Sequence, residues 1–245
     1  MAMLTAELPA VEEFLSEGLI TEVLSIIKSG KEASAYLCRA HRSLGARFVV
    51  AKVYHERGRR NFANDAIYQE GRVILNGQVR RAVAKKTEIG RTFQSGMWVN
   101  HEYDQLCALY DAGTNVPEPF ACADEALLLA YLGDATQAAP QLQSLSPAAG
   151  EARQWRDTLL RDVETFLAHN VVHADLSAFN VLVWQGKPWV IDFPQAVDPR
   201  FSPHARWLFG RDLGNLARWF ERHGAGFDAE RTAESLWRRW ESGRL

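Results

Sequence analysis

The chain has 245 residues, 47% of them hydrophobic and 24% charged, with a formal net charge of −2. That usage belongs to an ordinary soluble globular protein and excludes general disorder, as it excludes a chain basic enough throughout to coat nucleic acid. Three scattered cysteines, Cys38, Cys107 and Cys122, contain no C-x-x-C pair and predict buried or half-buried thiols in a reducing cytoplasm, not a disulfide framework or a structural zinc site. The N-terminus carries acids where a secretory signal needs basic residues. The longest apolar run, Ala126 to Leu132, is too short to cross a bilayer, so a cytoplasmic protein with no membrane partner is expected.

From the N-terminus, Val11, Phe14, Leu15 and Leu19 recur at helical spacing and predict an amphipathic helix over Pro9–Leu24, with Glu12 and Glu13 in its first turn. Three short β-branched and aromatic runs follow, at Val23–Ile27, Ala35–Cys38 and Phe48–Tyr54. They are separated by the turn-like SGKEAS and HRSLGAR and read as consecutive antiparallel strands. Residues 56–97 break this order. Nine Arg and Lys stand there against four acids, a local net of +5 that leaves about −7 for the rest of the chain. Phe62, Ile67, Tyr68, Val73, Ile74 and Leu75 are too many apolar residues for a pure linker, so a short helix near Asn61–Glu70 followed by a looser basic stretch is expected.

Tyr103, Leu106, Leu109 and Tyr110 share a face of a helix predicted over Trp98–Asp111, which Gly113 stops. Phe120–Cys122 and Leu127–Tyr131 read as a second pair of strands. Beyond Gly133 helices dominate. Ala152, Trp155, Leu159, Val163, Phe166 and Leu167 form an apolar stripe on a helix of about five turns. Strands at Val181–Trp184 and Trp189–Ile191 flank the turn Gln185-Gly186-Lys187, and helices near Pro203–Arg222 and Asp228–Glu241 close the chain.

The sharpest chemical signal is His173-Ala174-Asp175-Leu176-Ser177-Ala178-Phe179-Asn180, between the long helix and a strand. Asp192 follows twelve residues after Asn180, at the end of the next strand. Phosphoryl transfer needs this set: one carboxylate to orient or deprotonate the attacking hydroxyl, and an amide with a second carboxylate to hold a divalent metal on nucleotide phosphates. A loop aspartate taken alone is more often a turn or helix cap. Upstream, Lys52 stands inside the apolar run Val49–Tyr54, although Lys is seldom buried without a partner. Glu102, 50 residues later on the predicted helix, is the expected partner. In the turn Ser29-Gly30-Lys31-Glu32-Ala33-Ser34, backbone amides and hydroxyls could reach phosphates, but an ordinary hairpin turn accounts for it equally well.

Together SGKEASAY, HADLSAFN and IDFPQAV resemble the RIO family of atypical serine kinases, over roughly Leu19 to Phe220. Ala174 and Ser177 stand where ordinary serine/threonine kinases carry Arg and Lys, and Pro194 stands in place of the Gly after Asp-Phe. The resemblance implies an α+β, bilobal protein-kinase-like fold with the nucleotide between the lobes. A single domain over 1–245 would divide into an antiparallel β-sheet N-lobe over 1–132, with an insertion at about 57–91, and a short, mainly helical C-lobe over 133–245. It implies ATP with Mg²⁺ or Mn²⁺ as cofactors. Asp175, Lys52 and Glu102 would serve catalysis, and Asn180 and Asp192 would bind the metal. Ser29, Lys31, Ser34, Lys52, Leu129 as gatekeeper, and Ala130 to Leu132 as hinge would contact the nucleotide.

About twenty residues precede the first strand, too few for the winged-helix domain of some family branches, and no A-P-E motif follows Asp192, so the activation segment and peptide-binding subdomain of ordinary kinases are expected to be missing. The implied partners are ATP, a protein acceptor, and ribosomal RNA or a ribosomal particle at the basic 57–91 segment. Two other classes compete. Aminoglycoside and choline phosphotransferases share the H-x-D-x-x-x-x-N loop but carry Gly after the His and a longer C-terminal region. A nucleotide-sensing protein with negligible turnover is disfavoured by intact Lys52, Asp175, Asn180 and Asp192.

Overall fold

The computed structural model describes residues 9–55 and 88–245, with side chains from residue 99 onward in the second span. These fall into two compact units, one built from 9–55, 88–107 and 118–131, the other from 108–117 and 132–245. The helix expected near Asn61–Glu70 and most of the basic 57–91 segment lie outside the described residues.

The first unit is a five-stranded antiparallel sheet with strand order β1-β2-β3-β5-β4. Its strands are β1 (Ile20–Ser29), β2 (Ala33–Ala40), β3 (Phe48–Tyr54), β4 (Pro119–Ala123) and β5 (Ala126–Ala130). The period-2 alternation of β3 sorts its side chains. Val49, Ala51 and Val53 enter a core with Tyr36, Cys38, Ala126 and Leu128, which α1 (Pro9–Ser16) covers with Val11 and Phe14. Lys52 and Tyr54 therefore belong to the opposite face. Cys38 is buried, and burial pushes its thiol up to about 12. The Cys122 thiol is pushed to a similar value, chiefly by burial and then by the carboxylates of Asp104, Glu102 and Asp124.

The helix predicted to run to Leu24 ends at Ser16. Gly18 adopts a left-handed φ of +70°, which stops the helix cheaply, and the apolar residues from Ile20 onward continue into β1. The helix α2 spans Glu88–Asp111, ten residues earlier than its predicted start, because Gly90, Gly96 and the polar residues between them hide its period. Residues 88–91, read as the end of the basic insertion, are thus helical. Leu106 and Leu109 are buried, whereas Tyr110, read on the same face, is exposed.

In the second unit α3 (Ala149–Ala168) buries all six residues of its predicted stripe. Asn170, at φ +58°, ends it with the bonds Asn170 N–H to Leu167 and Val171 N–H to Phe166, and its side chain accepts from Trp240 Nε1 at 3.1 Å. β6 (Val181–Trp184) and β7 (Lys187–Val190) form a hairpin whose two-residue turn, Gln185-Gly186, has both φ angles positive, the twist-matched solution for a tight hairpin. The tip is tied down by Trp155 Nε1 donating to Gly186 O at 3.0 Å. Next, α4 (Ala205–Arg222) packs Leu208, Phe209, Leu213, Leu216, Trp219 and Phe220 inward. Then α5 (Ala229–Glu241), capped by Asp228, adds Leu236 and Trp237. No helix among the described residues is long and apolar enough to cross a membrane.

Asp162 on α3 is buried and accepts from Asn115 Nδ2 at 2.9 Å. Burial holds its carboxyl above the ordinary carboxylate range, partly offset by Asn115. The folded state keeps this proton where the unfolded chain loses it. The stability from this group is therefore complete below about pH 4 and is lost as pH rises through the raised value. Asp162→Asn keeps an acceptor for Asn115 and removes the charge. It should melt higher than wild type at pH 7, with the difference shrinking toward acid pH in thermal scans.

Candidate active site

Strand β3 and helix α2 bring the first pair together. Lys52 Nζ lies 2.9 Å from Glu102 Oε1, with side-chain exposures of 15% and 2%. The Tyr54 hydroxyl donates to the other oxygen, Glu102 Oε2. A buried carboxylate is tolerated when its charge is paired and its oxygens are bonded, and both conditions hold here.

In the same unit the β1–β2 turn is closed from within. Ser29 and Ser34, cross-strand neighbours, have their hydroxyls 3.0 Å apart. His55 Nε2 sits 3.3 Å from the Ser34 hydroxyl and 3.2 Å from Gly30 O, and its backbone N–H donates to Glu32 O. Sequence reading passed over His55, which lies just beyond β3. Lys31 is exposed at the turn. Leu129, buried in β5, pairs with Val50. Of the hinge groups, Ala130 N–H is committed to Glu118 O and the Leu132 carbonyl accepts from Ala139 N–H, both at 2.8 Å.

The second unit gathers Asp175, Asn180 and Asp192. Asn180 Nδ2 donates to Asp175 O at 2.9 Å and to Asp175 Oδ2 at 3.2 Å. The amide nitrogen is thus turned toward Asp175. Ile191 N–H donates to Asn180 O at 3.0 Å, which ties the residue before Asp192 to the loop. His173 Nε2 meets Ile191 O at 3.1 Å, Asp175 N–H reaches His173 Nδ1 at 3.3 Å, and the His173 ring packs 4.6 Å from buried Phe193. His173 is a packed, bonded strut of the loop. Burial raises the Asp175 carboxyl above the ordinary range; His173, Arg211 and the Asn180 bond oppose the rise, and Asp192 adds to it.

Ala174 has φ +64° and Asp192 has φ +74°, a backbone region that side chains other than Gly rarely adopt. Such strain costs about 1–3 kcal/mol and persists only where the surroundings over-determine it. At Ala174 they do. Its N–H donates to Asp212 Oδ2 at 2.7 Å, its carbonyl accepts from Arg211, and Leu176 N–H donates to Asp212 Oδ1 at 3.1 Å. Asn215 Nδ2 holds Leu176 O at 3.1 Å. Asp212, Arg211 and Asn215 all come from α4, and sequence reading missed all three. A signal for Asp212 was present: it falls four residues after Leu208 on the apolar face of an amphipathic helix, where a carboxylate needs a partner. Burial pushes its carboxyl well above the usual range, against the pull of Arg211 and the two amides.

For a metal, Asn180 and Asp192, the residues the motifs nominate, would offer one amide oxygen and one carboxylate. Among the described residues no group of three or more His, Cys, Asp or Glu converges into a cage. Oxygen donors of this kind would suit a hard divalent cation whose remaining ligands come from phosphates and water.

A family model described as the RIO domain matches residues 37–233. The chain belongs to the RIO family. It is 30% identical over 192 residues to the RIO-type serine/threonine-protein kinase Rio1 of Thermoplasma acidophilum, covering 78% of this chain and 95% of that one. Identity to the serine/threonine-protein kinase rio1 of Schizosaccharomyces pombe is 27%, over 87% of this chain but only 41% of the relative, so this chain spans about two fifths of that protein. The crystal structure of the Rio2 kinase in an ADP/Mg²⁺-phosphoaspartate complex, from Chaetomium thermophilum, superposes with a TM-score of 0.64 at 20% identity, covering 96% of this chain and 76% of that one. The kinase-like α+β fold expected from the motifs is therefore borne out. The family is one of phosphotransferases, and the matches do not favour the aminoglycoside and choline phosphotransferase alternative.

Replacing Asp212 by Ala strips acceptors from two buried amides, at about 1–3 kcal/mol each. Hydrogen exchange in peptides covering 172–178 should then accelerate at least about tenfold, while β1–β3 exchange as in wild type. Unchanged exchange in that loop would show that Asp212 does not hold it.

Proposed function

We propose that this RIO-type kinase moves the terminal phosphoryl group of ATP to a serine or threonine hydroxyl of a protein, or to water. The observation that carries the reading is the bonding of Asn180 to Asp175, with Ile191, the residue before Asp192, tied to Asn180, on a chain of this family. In this reading Asp175 orients the attacking hydroxyl and accepts its proton as the new oxygen–phosphorus bond forms and the bond to the β-phosphate oxygen breaks, releasing ADP. Asn180, pinned through its amide nitrogen, offers its oxygen to Mg²⁺ or Mn²⁺ together with the Asp192 carboxylate. When bound, the ion would offset the charge on the phosphate oxygens. Lys52, held by Glu102, contacts phosphates, and the Ser29, Lys31 and Ser34 turn flanks them. Leu129, Ala130 and Leu132 line the adenine. Support for the cofactor comes from the ADP and Mg²⁺ in the Rio2 kinase neighbour.

Charge separates the roles. Asp192 holds the cation that offsets the phosphate charge, whereas Asp175 meets only the acceptor. Asp192→Ala should weaken Mg-ATP binding strongly in calorimetry. Asp175→Asn should bind Mg-ATP as wild type does and lose about a hundredfold or more in turnover, the scale of a general base. Equal losses of affinity in the two variants would refute these roles. Transfer from labelled ATP, measured alone, with generic proteins and with ribosomal fractions, separates kinase from ATPase activity.

The three cysteines, none of them in a disulfide, support action in a reducing cytoplasm. The net charge of +5 over 56–97 supports contact with a polyanion such as ribosomal RNA. Wild-type affinity for RNA should then fall steeply with salt. Replacing Arg80, Arg81, Lys85 and Lys86 by Ala should flatten that slope while ATP hydrolysis stays near wild type; no RNA binding at low salt would remove this partner.

A further inference from the structure

Glu102 is a carboxylate at 2% exposure with two separate donors, one on each oxygen. Both donors come from β3, two residues apart, so the alternation of the strand puts them on one face. The Lys52 ammonium also sits 5.0 Å from the centre of the Tyr54 ring. Ammonium, carboxylate and phenol are therefore in mutual contact. Tyr54 is itself buried, and its backbone N–H is fixed to Glu125 O at 2.8 Å.

We propose that Tyr54 is a positioning residue for ATP binding, acting through Glu102. The proposal rests on the reading of Lys52 and Glu102 as the pair that aims a cation at the phosphates. An ammonium that binds phosphates must divide its donors between them and Glu102. A carboxylate held by Lys52 alone would lose its seat as the lysine turns. Tyr54 pins the second oxygen to the strand, so the place of Glu102 is set by β3 and not by the state of Lys52. The phenol does this without adding a second cation that would compete for phosphate, and its ring gives the ammonium an electrostatically favourable surface.

The test compares wild type, Tyr54→Phe, Glu102→Gln and the double variant in Mg-ATP binding and steady-state ATP hydrolysis, with melting temperatures read first. Tyr54→Phe removes one oxygen. It should raise KM for ATP about tenfold, the scale of a hydrogen bond to a charged group, with kcat within about twofold of wild type. In the Glu102→Gln background the same change should add less than about twofold, because the effect runs through Glu102. Incorporation of 3-fluorotyrosine at position 54, which keeps the hydroxyl, should preserve wild-type KM and serves as the second variant if Tyr54→Phe does not fold. An unchanged KM in Tyr54→Phe, a full effect in the Glu102→Gln background, or a fluorotyrosine protein as impaired as the Phe variant would overturn the proposal. A wild-type protein that binds no Mg-ATP would overturn the functional reading and this proposal together. Wild-type binding with an unaltered Tyr54→Phe would overturn this one alone.

Discussion

The bracket of hydrogen bonds from Asp212 to Ala174 and Leu176 is the constraint on which the second unit depends. Ala174, the residue before Asp175, sits in a conformation it would not choose. A buried carboxylate is a costly device for this purpose. It is suited to it nonetheless, because two oxygens at fixed separation accept from two amides of one turn and fix both position and orientation. Arg211 and Asn215 take the carbonyls of the same residues, so α4 holds the loop by its donors and its acceptors alike.

The first unit solves a related problem with different chemistry. There the buried carboxylate belongs to Glu102, and its donors are side chains on a strand. In each unit a single acid organises a segment that would otherwise drift, and in each the acid is supplied by a helix and the organised groups by another element. The sheet core of Val49, Ala51 and Val53 fixes β3 from behind, which is why the opposite face can carry polar work.

Much of this was legible in the residues. The strand runs, the apolar stripe of α3 and the motif around Asp175 and Asn180 are local patterns whose physics is local. The pairing of Lys52 with Glu102 could be anticipated because a lysine in an apolar strand demands a partner. What escaped was non-local or masked by composition. Asp212 reads as one polar residue in a helix until the loop that it holds is known. The start of α2 was hidden by Gly90 and Gly96, and the end of α1 by apolar residues that serve a helix and a strand equally well. The second donor to Glu102 was invisible because a tyrosine in a strand needs no explanation of its own.

The cysteines have a consequence for how the protein meets reactive chemistry. Cys38 and Cys122 both lie in the sheet unit, and with their thiols pushed up to about 12 they stay protonated at cellular pH. Electrophiles and peroxides attack the thiolate, so these sulfurs are slow to be alkylated or oxidised. At Cys38, burial that serves packing thus also shields the sulfur from thiol-directed reagents.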